Sequence, residues 1–303
     1  MDKAKISIII PAHNEAENIG NLVREIRSLY PAAEVIVVND GSKDETAKVA
    51  HESGAEVYSH PYNIGNGAAI KSGIRAATGD ILVFMDADGQ HDTQDISRLV
   101  EMVCQYDMVV GERSFGGQAS WGRAAGNIVY NWLGSYVTKF PIKDLTSGFR
   151  AVKADVARNF LHLLPNSYSY PTTLTLGVLR SGRSLKYIPI MAHKRRAGSS
   201  QIKLFRDGVR FFMIITKICT LYSPMRVFLP VSATMFTMGL INYVHSYFTQ
   251  GRFTNMSALL FVTSVLIFMM SLISEQICQM RYERRETPRA VRREPPDDRR
   301  TPA

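Results

Sequence analysis

Two carboxylates one residue apart, Asp86 and Asp88, are the groups best suited to chemistry in this 303-residue sequence. They follow the apolar run Ile81-Leu82-Val83-Phe84-Met85, so a buried strand would deliver both to a single turn. Like charges that close repel unless a cation joins them. A hard divalent ion such as Mg²⁺ or Mn²⁺ would do so, and would also bind a diphosphate. Gln90 adds a neutral oxygen ligand to the same turn, whereas His91 reads as a loop residue rather than a ligand. An Asp-x-Asp alone is weak evidence, because acidic loops at strand ends are common.

Two more polar clusters follow apolar runs. Pro11-Ala12-His13-Asn14-Glu15 comes after Ile6 to Ile10, and Pro11 is expected to end that strand. The turn could hold a nucleobase, with Glu15 accepting hydrogen bonds from base or ribose. Alternatively, Glu15 only places negative charge at a helix N-terminus. Asn39-Asp40-Gly41-Ser42 follows Glu34 to Val38, and Asp40 either contacts base or ribose or caps the next helix.

These clusters need elements to position them. Strand-like runs at 6–10, 34–38, 55–59, 81–85 and 108–110 alternate with helix-like stretches. The helical signals are Ile19, Leu22, Val23, Ile26 and Leu29, then about Lys43 to Ser53, then the Ala- and Gly-rich segment Gly65 to Ala77. Ile96, Leu99, Val100 and Val103 complete the series. Fully apolar strands alternating with amphipathic helices predict an α/β domain with a mainly parallel sheet covered on both faces. Ligands in such folds collect at the carboxyl ends of the strands, where these polar clusters fall.

The formal charge is +9. No nucleic-acid motif accompanies it, so nucleic acid is not an expected partner. The excess instead flanks an apolar block. Val227 to Tyr247 and Met256 to Ser274 carry no Lys, Arg, Asp or Glu, and each has about the ~20 residues a bilayer crossing needs. Arg195, Arg196, Lys203 and Arg226 precede them, Arg281, Arg284 and Arg285 follow, and Arg252 stands in the link. That asymmetry predicts a transmembrane hairpin with both termini and the catalytic domain cytoplasmic. Asn242 and His245 in the first span are expected to reach the headgroups. Over 201–222, Lys203, Arg206, Asp207, Arg210 and Lys217 share one helical face opposite Ile202, Phe205, Val209 and Phe212. An amphipathic helix lying on the bilayer is expected there, with an ordinary surface helix as the alternative. The expected organisation is a catalytic domain over 1–200, this helix over 201–222, the hairpin over 223–280 and a disordered basic tail over 281–303. Cys104, Cys219 and Cys278 are too scattered for a disulfide framework or zinc site, which fits a reducing compartment.

Together, Pro11-Ala-His-Asn-Glu15, Val38-Asn-Asp-Gly-Ser42, Asn63-Ile-Gly-Asn-Gly67 and Met85-Asp-Ala-Asp-Gly-Gln-His91 resemble the family-2 glycosyltransferases of the GT-A (Rossmann-like) fold. The resemblance covers roughly residues 5 to 200. Gly111-Glu-Arg113, Asp144-Leu-Thr-Ser-Gly-Phe-Arg150 and Arg195-Arg-Ala-Gly-Ser-Ser200 narrow it to the branch that acts on polyprenyl phosphates. The resemblance implies a nucleotide-sugar donor, UDP- or GDP-linked, and a polyprenyl phosphate acceptor held in the lipid bilayer. It implies metal binding by Asp86, Asp88 and Gln90, a nucleotide site involving Pro11, Ala12, Glu15, Asp40, Asp86 and Arg195, and an acceptor-phosphate clamp of Arg113 and Arg123. Arg113 could instead pair with a neighbouring acid such as Glu112. Two positions depart from the family pattern, Asn66 and Gln201 standing where lysine is frequent, so a particular sugar does not carry over. The implied reaction is an inverting displacement at the anomeric carbon. The rivals are another membrane-bound family-2 enzyme and a non-catalytic nucleotide-binding membrane scaffold. A processive polysaccharide synthase is disfavoured because no Gln-x-x-Arg-Trp motif occurs. Self-association into a homo-oligomer stays open.

Overall fold

A computed structural model describes residues 4–113, 128, 131–132, 134–136, 138–166, 169–191 and 224–283, with side chains described to residue 280. The chain divides into two compact units, Met1–Val227 and Phe228–Ala303. Within the first, the elements run β1 (Ile6–Ala12), α1 (Ala16–Leu29), β2 (Glu34–Asn39), α2 (Thr46–Glu52), β3 (Glu56–Ser59), α3 (Asn66–Ala76) and β4 (Ile81–Phe84). They continue with α4 (Asp95–Val103), β5 (Met108–Arg113), β6 (Arg150–Lys153), α5 (Ala154–Phe160), α6 (Tyr170–Arg180) and β7 (Leu185–Ile190).

The seven strands form one sheet in the order β3-β2-β1-β4-β6-β5-β7. Only β6 runs against its neighbours, pairing antiparallel with both β4 and β5. The expected mainly parallel α/β sheet is therefore present, with one reversed strand. Alternate residues of the central strands face opposite layers. Ile8, Ile10, Val35, Val37, Ile81 and Val83 pack with Ile19, Val23 and Ile26 of α1 and with Ile96, Leu99 and Val103 of α4. Ile9 faces α3, where Gly73 allows the closest approach: a Cβ there would lie 2.3 Å from Ile9 Cγ2. Each large aliphatic side chain buried this way contributes about 1.5–3 kcal/mol, so the sheet's core fixes where its strands end.

Pro11 does not end β1. It pairs with Val38, and Ala12 with Asn39. The pairing of β1 with β4 stops at Ile9, so β1 is an edge on that side by Pro11, where a missing N–H is tolerated.

The second unit contains most of α7 (Pro224–Gln250) and α8 (Asn255–Glu283), both long and apolar enough to cross a membrane. Their contact seam repeats every seven residues. Ser232, Gly239 and Ser246 of α7 and Ser257, Ser264, Ser271 and Cys278 of α8 occupy it, and all the serines and the cysteine are buried. Small residues let the two backbones approach closely; a Cβ on Gly239 would lie 3.2 Å from Leu260 Cβ. Ser232 Oγ donates to the Ser264 carbonyl at 2.9 Å and Ser264 Oγ to the Ser232 carbonyl at 3.1 Å. Asn242 does not reach outward as expected. Its Oδ1 accepts bonds from Thr254 Oγ1 and Ser257 Oγ at 3.2 and 2.9 Å and ties the helices together near their turn. His245 is exposed. Large apolar side chains such as Ile241, Phe248, Leu259 and Met270 point outward instead of into a core, which is the surface a lipid environment accepts. The helix expected over 201–222 and the tail from 284 onward lie outside the described residues, and α8 runs three residues into the segment expected to be tail.

Candidate active site

The first two loops at the carboxyl edge are clasped together. Asp40 N donates to the Ala12 carbonyl at 2.8 Å, Asn14 N to Ser42 Oγ at 3.0 Å and Lys43 N to Asn14 Oδ1 at 2.8 Å. Glu15 N donates to Thr46 Oγ1 at 2.9 Å. Asn14 adopts φ 54° to make this turn, a left-handed conformation that asparagine tolerates better than most residues. Glu15 opens α1: its carbonyl accepts from Asn18 N and Ile19 N, and its carboxylate accepts from Asn18 Nδ2 at 2.9 Å.

Asp40 does not cap α2. Its carboxylate accepts from Ile64 N at 3.0 Å, Gly65 N at 2.8 Å and the His60 ring at 2.7 Å. With its side chain only 4% exposed, it is turned to the chain itself and fixes the loop that starts α3. The sequence could not show this, because the partners lie twenty or more residues away. Gly41 is required beneath that loop; at φ 65° it lies where a Cβ would come within 2.4 Å of the Tyr62 backbone.

Asp86 and Asp88 stand where β4 ends. Both are half-buried. A Cβ on Gly148 would lie 2.6 Å from Asp86 Oδ2, so the 144–149 loop passes directly against the carboxylate. Burial pushes the Asp86 carboxyl up, but the neighbouring His91 ring, the charge of Arg113 and the polar Asn66 side chain outweigh it and hold it below its usual value. It is therefore ionised at neutral pH. Gly89, at φ 69°, turns the chain so that Gln90 N donates to Asp88 Oδ1 at 3.2 Å. His91 is no bystander. It is buried, stacks on Phe149 with ring centroids 4.9 Å apart and places Nε2 3.8 Å from Asp86 Oδ2.

Arg113, the last residue of β5, forms a forked pair with Asp144: Nε to Oδ2 at 2.8 Å and Nη2 to Oδ1 at 3.0 Å. Nη2 also donates to Thr146 Oγ1 at 2.7 Å. Glu112 is not its partner; that carboxylate faces Lys143 at 3.0 Å. Burial lowers the Arg113 pKa, but the Asp144 pair and the charges of Asp86 and Asp88 raise it further, which places all four groups in one electrostatic neighbourhood. Among the described residues Nη1 of Arg113 takes no hydrogen bond. Arg123 and Arg195 lie outside the described residues.

The 144–149 loop is held from below by Arg150, which is fully buried. Its guanidinium donates to the carbonyls of Ser147 and Pro171 and to Thr175 Oγ1. A buried arginine is hard to foresee, since burial usually excludes that side chain.

Six buried side-chain atoms of this unit make no hydrogen bond among the described residues: Asn66 Oδ1, His91 Nδ1, Glu112 Oε2, Ser147 Oγ, Arg150 Nε and Tyr187 Oη; of these, Glu112 Oε2 has Lys143 Nζ at 3.0 Å as an ionic partner. The other five belong to the end of β4 or its surroundings. Asn66 and His91 act on Asp86, His91 from 3.8 Å, Ser147 precedes Gly148, Arg150 pairs with Phe84, and Tyr187 and Arg150 both pair with Val110. Unpaired buried polar atoms are rare and call for a ligand or water. Their convergence makes this edge the candidate functional site.

A family model decides the identity: that of glycosyl transferase family 2 matches residues 7–161. The chain belongs to glycosyl transferase family 2. A second model, the GtrB C-terminal hairpin, matches residues 223–280, in agreement with a membrane-associated helical pair. This glycosyltransferase is 28% identical over 212 residues to an undecaprenyl-phosphate mannosyltransferase of Micrococcus luteus, covering 65% of this chain and 87% of the relative. It is 29% identical over 245 residues to an undecaprenyl-phosphate 4-deoxy-4-formamido-L-arabinose transferase of Sodalis glossinidius, covering 78% and 73%. The fold is shared with glucosyl-3-phosphoglycerate synthase of Mycobacterium tuberculosis, solved with Mn²⁺, UDP and glucosyl-3-phosphoglycerate. The TM-score is 0.57 at 20% identity, covering 71% of this chain and 79% of that one.

Proposed function

We propose that this glycosyltransferase moves a sugar from a UDP- or GDP-linked donor to a polyprenyl phosphate, by a divalent-metal-assisted displacement with inversion. The observation that carries this reading is the forked Arg113–Asp144 pair beside the Asp86 and Asp88 carboxylates. A site with two carboxylates repels phosphate unless cations offset them. Here one cation is an oriented guanidinium with Nη1 still open. The relatives named for undecaprenyl-phosphate transfer point to the same acceptor class.

The donor set fits Mg²⁺ or Mn²⁺. Among the described residues no cluster of three or more His, Cys, Asp or Glu side chains is assembled for a metal. Two carboxylates and the Gln90 amide in one turn leave the remaining positions to diphosphate and water, which is how Mg²⁺ is commonly held. When bound, the ion neutralises charge on the leaving diphosphate. Asp86 and Asp88 hold the ion with Gln90. Pro11, Ala12 and Glu15 shape the nucleotide turn, and Asp40 contributes by fixing the 64–65 loop. Arg113 orients the acceptor phosphate for attack at the anomeric carbon, joined by Arg123, while Arg195 approaches the donor diphosphate. The acceptor, a phosphate monoester with a second pKa near ~6, is already a nucleophile at neutral pH and needs no general base. The hairpin tethers the catalytic unit to the bilayer that holds the prenyl chain, with the catalytic unit on the cytoplasmic side. Deleting everything after Thr220 is expected to move most of the protein to the soluble fraction; resistance of that fragment to carbonate and high-salt washes would remove the hairpin as the main anchor.

The test is mass spectrometry of the lipid. Full-length protein in detergent is incubated with Mg²⁺ or Mn²⁺, a panel of UDP- and GDP-sugars and polyprenyl phosphate. The expected product is the lipid phosphate heavier by one sugar residue, its formation abolished by a chelator. A lipid heavier by a sugar phosphate, or free sugar alone, would contradict the proposal.

A further inference from the structure

We propose that Asn131 is a positioning residue for the acceptor: it fixes the backbone of Asp144 and, through Asp144, the guanidinium of Arg113. The proposal rests on the glycosyl-transfer reading above, in which Arg113 orients the acceptor phosphate, and adds to it the group that sets the geometry of that clamp. Asn131 Nδ2 donates to the Lys143 carbonyl at 2.6 Å, and its Oδ1 accepts from Leu145 N at 3.0 Å. The first partner belongs to the peptide before Asp144 and the second to the peptide after it. One side chain thus holds both peptides of a single residue. A carbonyl only accepts and a backbone N–H only donates, so the partners also fix which way the amide points. A carboxamide presents a donor and an acceptor side by side in one plane, as this place requires. An aspartate would satisfy Leu145 and repel the Lys143 carbonyl.

Asn131 is firmly mounted. Residues 131, 132 and 134–136 are helical, and they are locked to the segment they support. Gly134 allows the close approach: a Cβ there would lie 2.9 Å from Ile142 Cδ1 and 3.2 Å from Leu145 Cδ2. Ile142 N donates to Ser135 Oγ at 2.9 Å, and Ser135 Oγ donates to the Asn131 carbonyl at 2.7 Å. Leu145 is buried. The Asp144 carboxylate is committed on the other side. Its Oδ1 accepts from Thr146 N at 3.1 Å and from Arg113 Nη2 at 3.0 Å, and its Oδ2 accepts from Arg113 Nε at 2.8 Å. A forked pair needs two aligned bonds at once, so a turn of the Asp144 backbone displaces the guanidinium with it. Small displacements of an orienting group cost rate even when the group itself is intact. Asn131 therefore acts through Asp144 and Arg113, and not on the substrate.

The test is a double-mutant cycle on the full-length protein in detergent, with Mg²⁺, undecaprenyl phosphate and the UDP- or GDP-sugar that wild type transfers. Asn131→Ala is expected to lower kcat/KM for undecaprenyl phosphate roughly 2- to 12-fold, the range of one net hydrogen bond. Affinity for UDP or GDP with Mg²⁺, measured by calorimetry without acceptor, is expected to stay at its wild-type value. In the Arg113→Lys background the fork is already lost, so Asn131→Ala is expected to change acceptor kcat/KM by less than about twofold. An asparagine that serves stability alone would lower the melting temperature and leave acceptor kcat/KM unchanged. That result overturns the proposal. So does an equal loss in both backgrounds, or a matching loss of nucleotide affinity. Asn131→Ser gives the same readings if Asn131→Ala fails to fold. A wild-type protein that transfers no sugar to the lipid would overturn the glycosyl-transfer reading, and this proposal along with it.

Discussion

At the amino edge of the sheet, Asp107 accepts bonds from Ser184 N and Oγ at 2.8 and 2.9 Å and faces Lys153 at 3.3 Å. Farther along the same edge, at the start of β1 and β2, Glu34 accepts from Ser7 Oγ, Thr78 N and Thr78 Oγ1, while Gly79 N donates to Ser7 Oγ at 2.8 Å. At the carboxyl edge the same sheet leaves Asn66 Oδ1, His91 Nδ1 and Ser147 Oγ buried without partners. One edge satisfies its polar groups within the fold and contributes stability. The other holds polar groups in reserve for a ligand and gives up stability to do so. Substitutions at the two edges should therefore fail in different ways.

The largest effect is expected from Asp88→Asn. Losing a carboxylate from the metal set should lower transfer by more than about a hundredfold, since metal charge stabilisation is worth several kcal/mol. The melting temperature should stay close to wild type. A variant that keeps full activity in the presence of a chelator would remove the metal from this edge. Arg113→Lys comes next. Lysine keeps the charge but loses the fork to Asp144, so kcat/KM for the acceptor should fall roughly tenfold while donor affinity, measured without acceptor, barely changes. Equal losses in both would place Arg113 on the nucleotide.

Asp107→Asn should behave in the opposite manner. Burial works against ionisation there, but the Ser184 amide and hydroxyl and the Lys153 ammonium outweigh it and lower its pKa to about 2. A carboxyl depressed in the folded state stabilises above its unfolded pKa of about 3.9, and that contribution is lost as pH falls through about 2. The variant should be less stable than wild type by ~1–2 kcal/mol above about pH 4, with the gap closing toward pH 2 in acid denaturation curves. Its kinetic constants at neutral pH should match wild type. The smallest effect, and the sharpest contrast, comes from paired serines. Ser184→Ala should cost ~1 kcal/mol by stranding the Asp107 carboxylate's partner set, whereas Ser147→Ala deletes an unpartnered hydroxyl and should be neutral or slightly stabilising. Equal destabilisation of the two variants would dissolve the distinction between the edges.

The parts of this organisation legible in the sequence were those with repeating patterns. The runs at 8–10, 35–38 and 81–85 are apolar throughout because both sheet faces are covered, and α1 and α4 carry a clear helical period. The two spans and the three polar clusters were equally plain. Beyond Arg113 the pattern fails for physical reasons. β6 is four residues long and begins with a buried arginine. α6 is buried from Tyr170 through Val178, so no polar face marks its period. In the candidate site, polar residues adjacent to a strand end stand out in the sequence, while the contacts that residues make across the chain do not. Asp40 works on a loop more than twenty residues away, and Asn66 and His91 matter because α3 and the β4 turn bring them to Asp86. Spacing along the chain carries no trace of such contacts.

Hydrogen–deuterium exchange of the full-length protein, with and without UDP or GDP and Mn²⁺, tests the difference between the edges most directly. Ligand should slow exchange in peptides covering 60–67, 84–91 and 144–150, and leave those covering 104–108 and 181–186 unchanged. Protection confined to the amino edge, or absent from the end of β4 while nucleotide is bound, would contradict the assignment of the site.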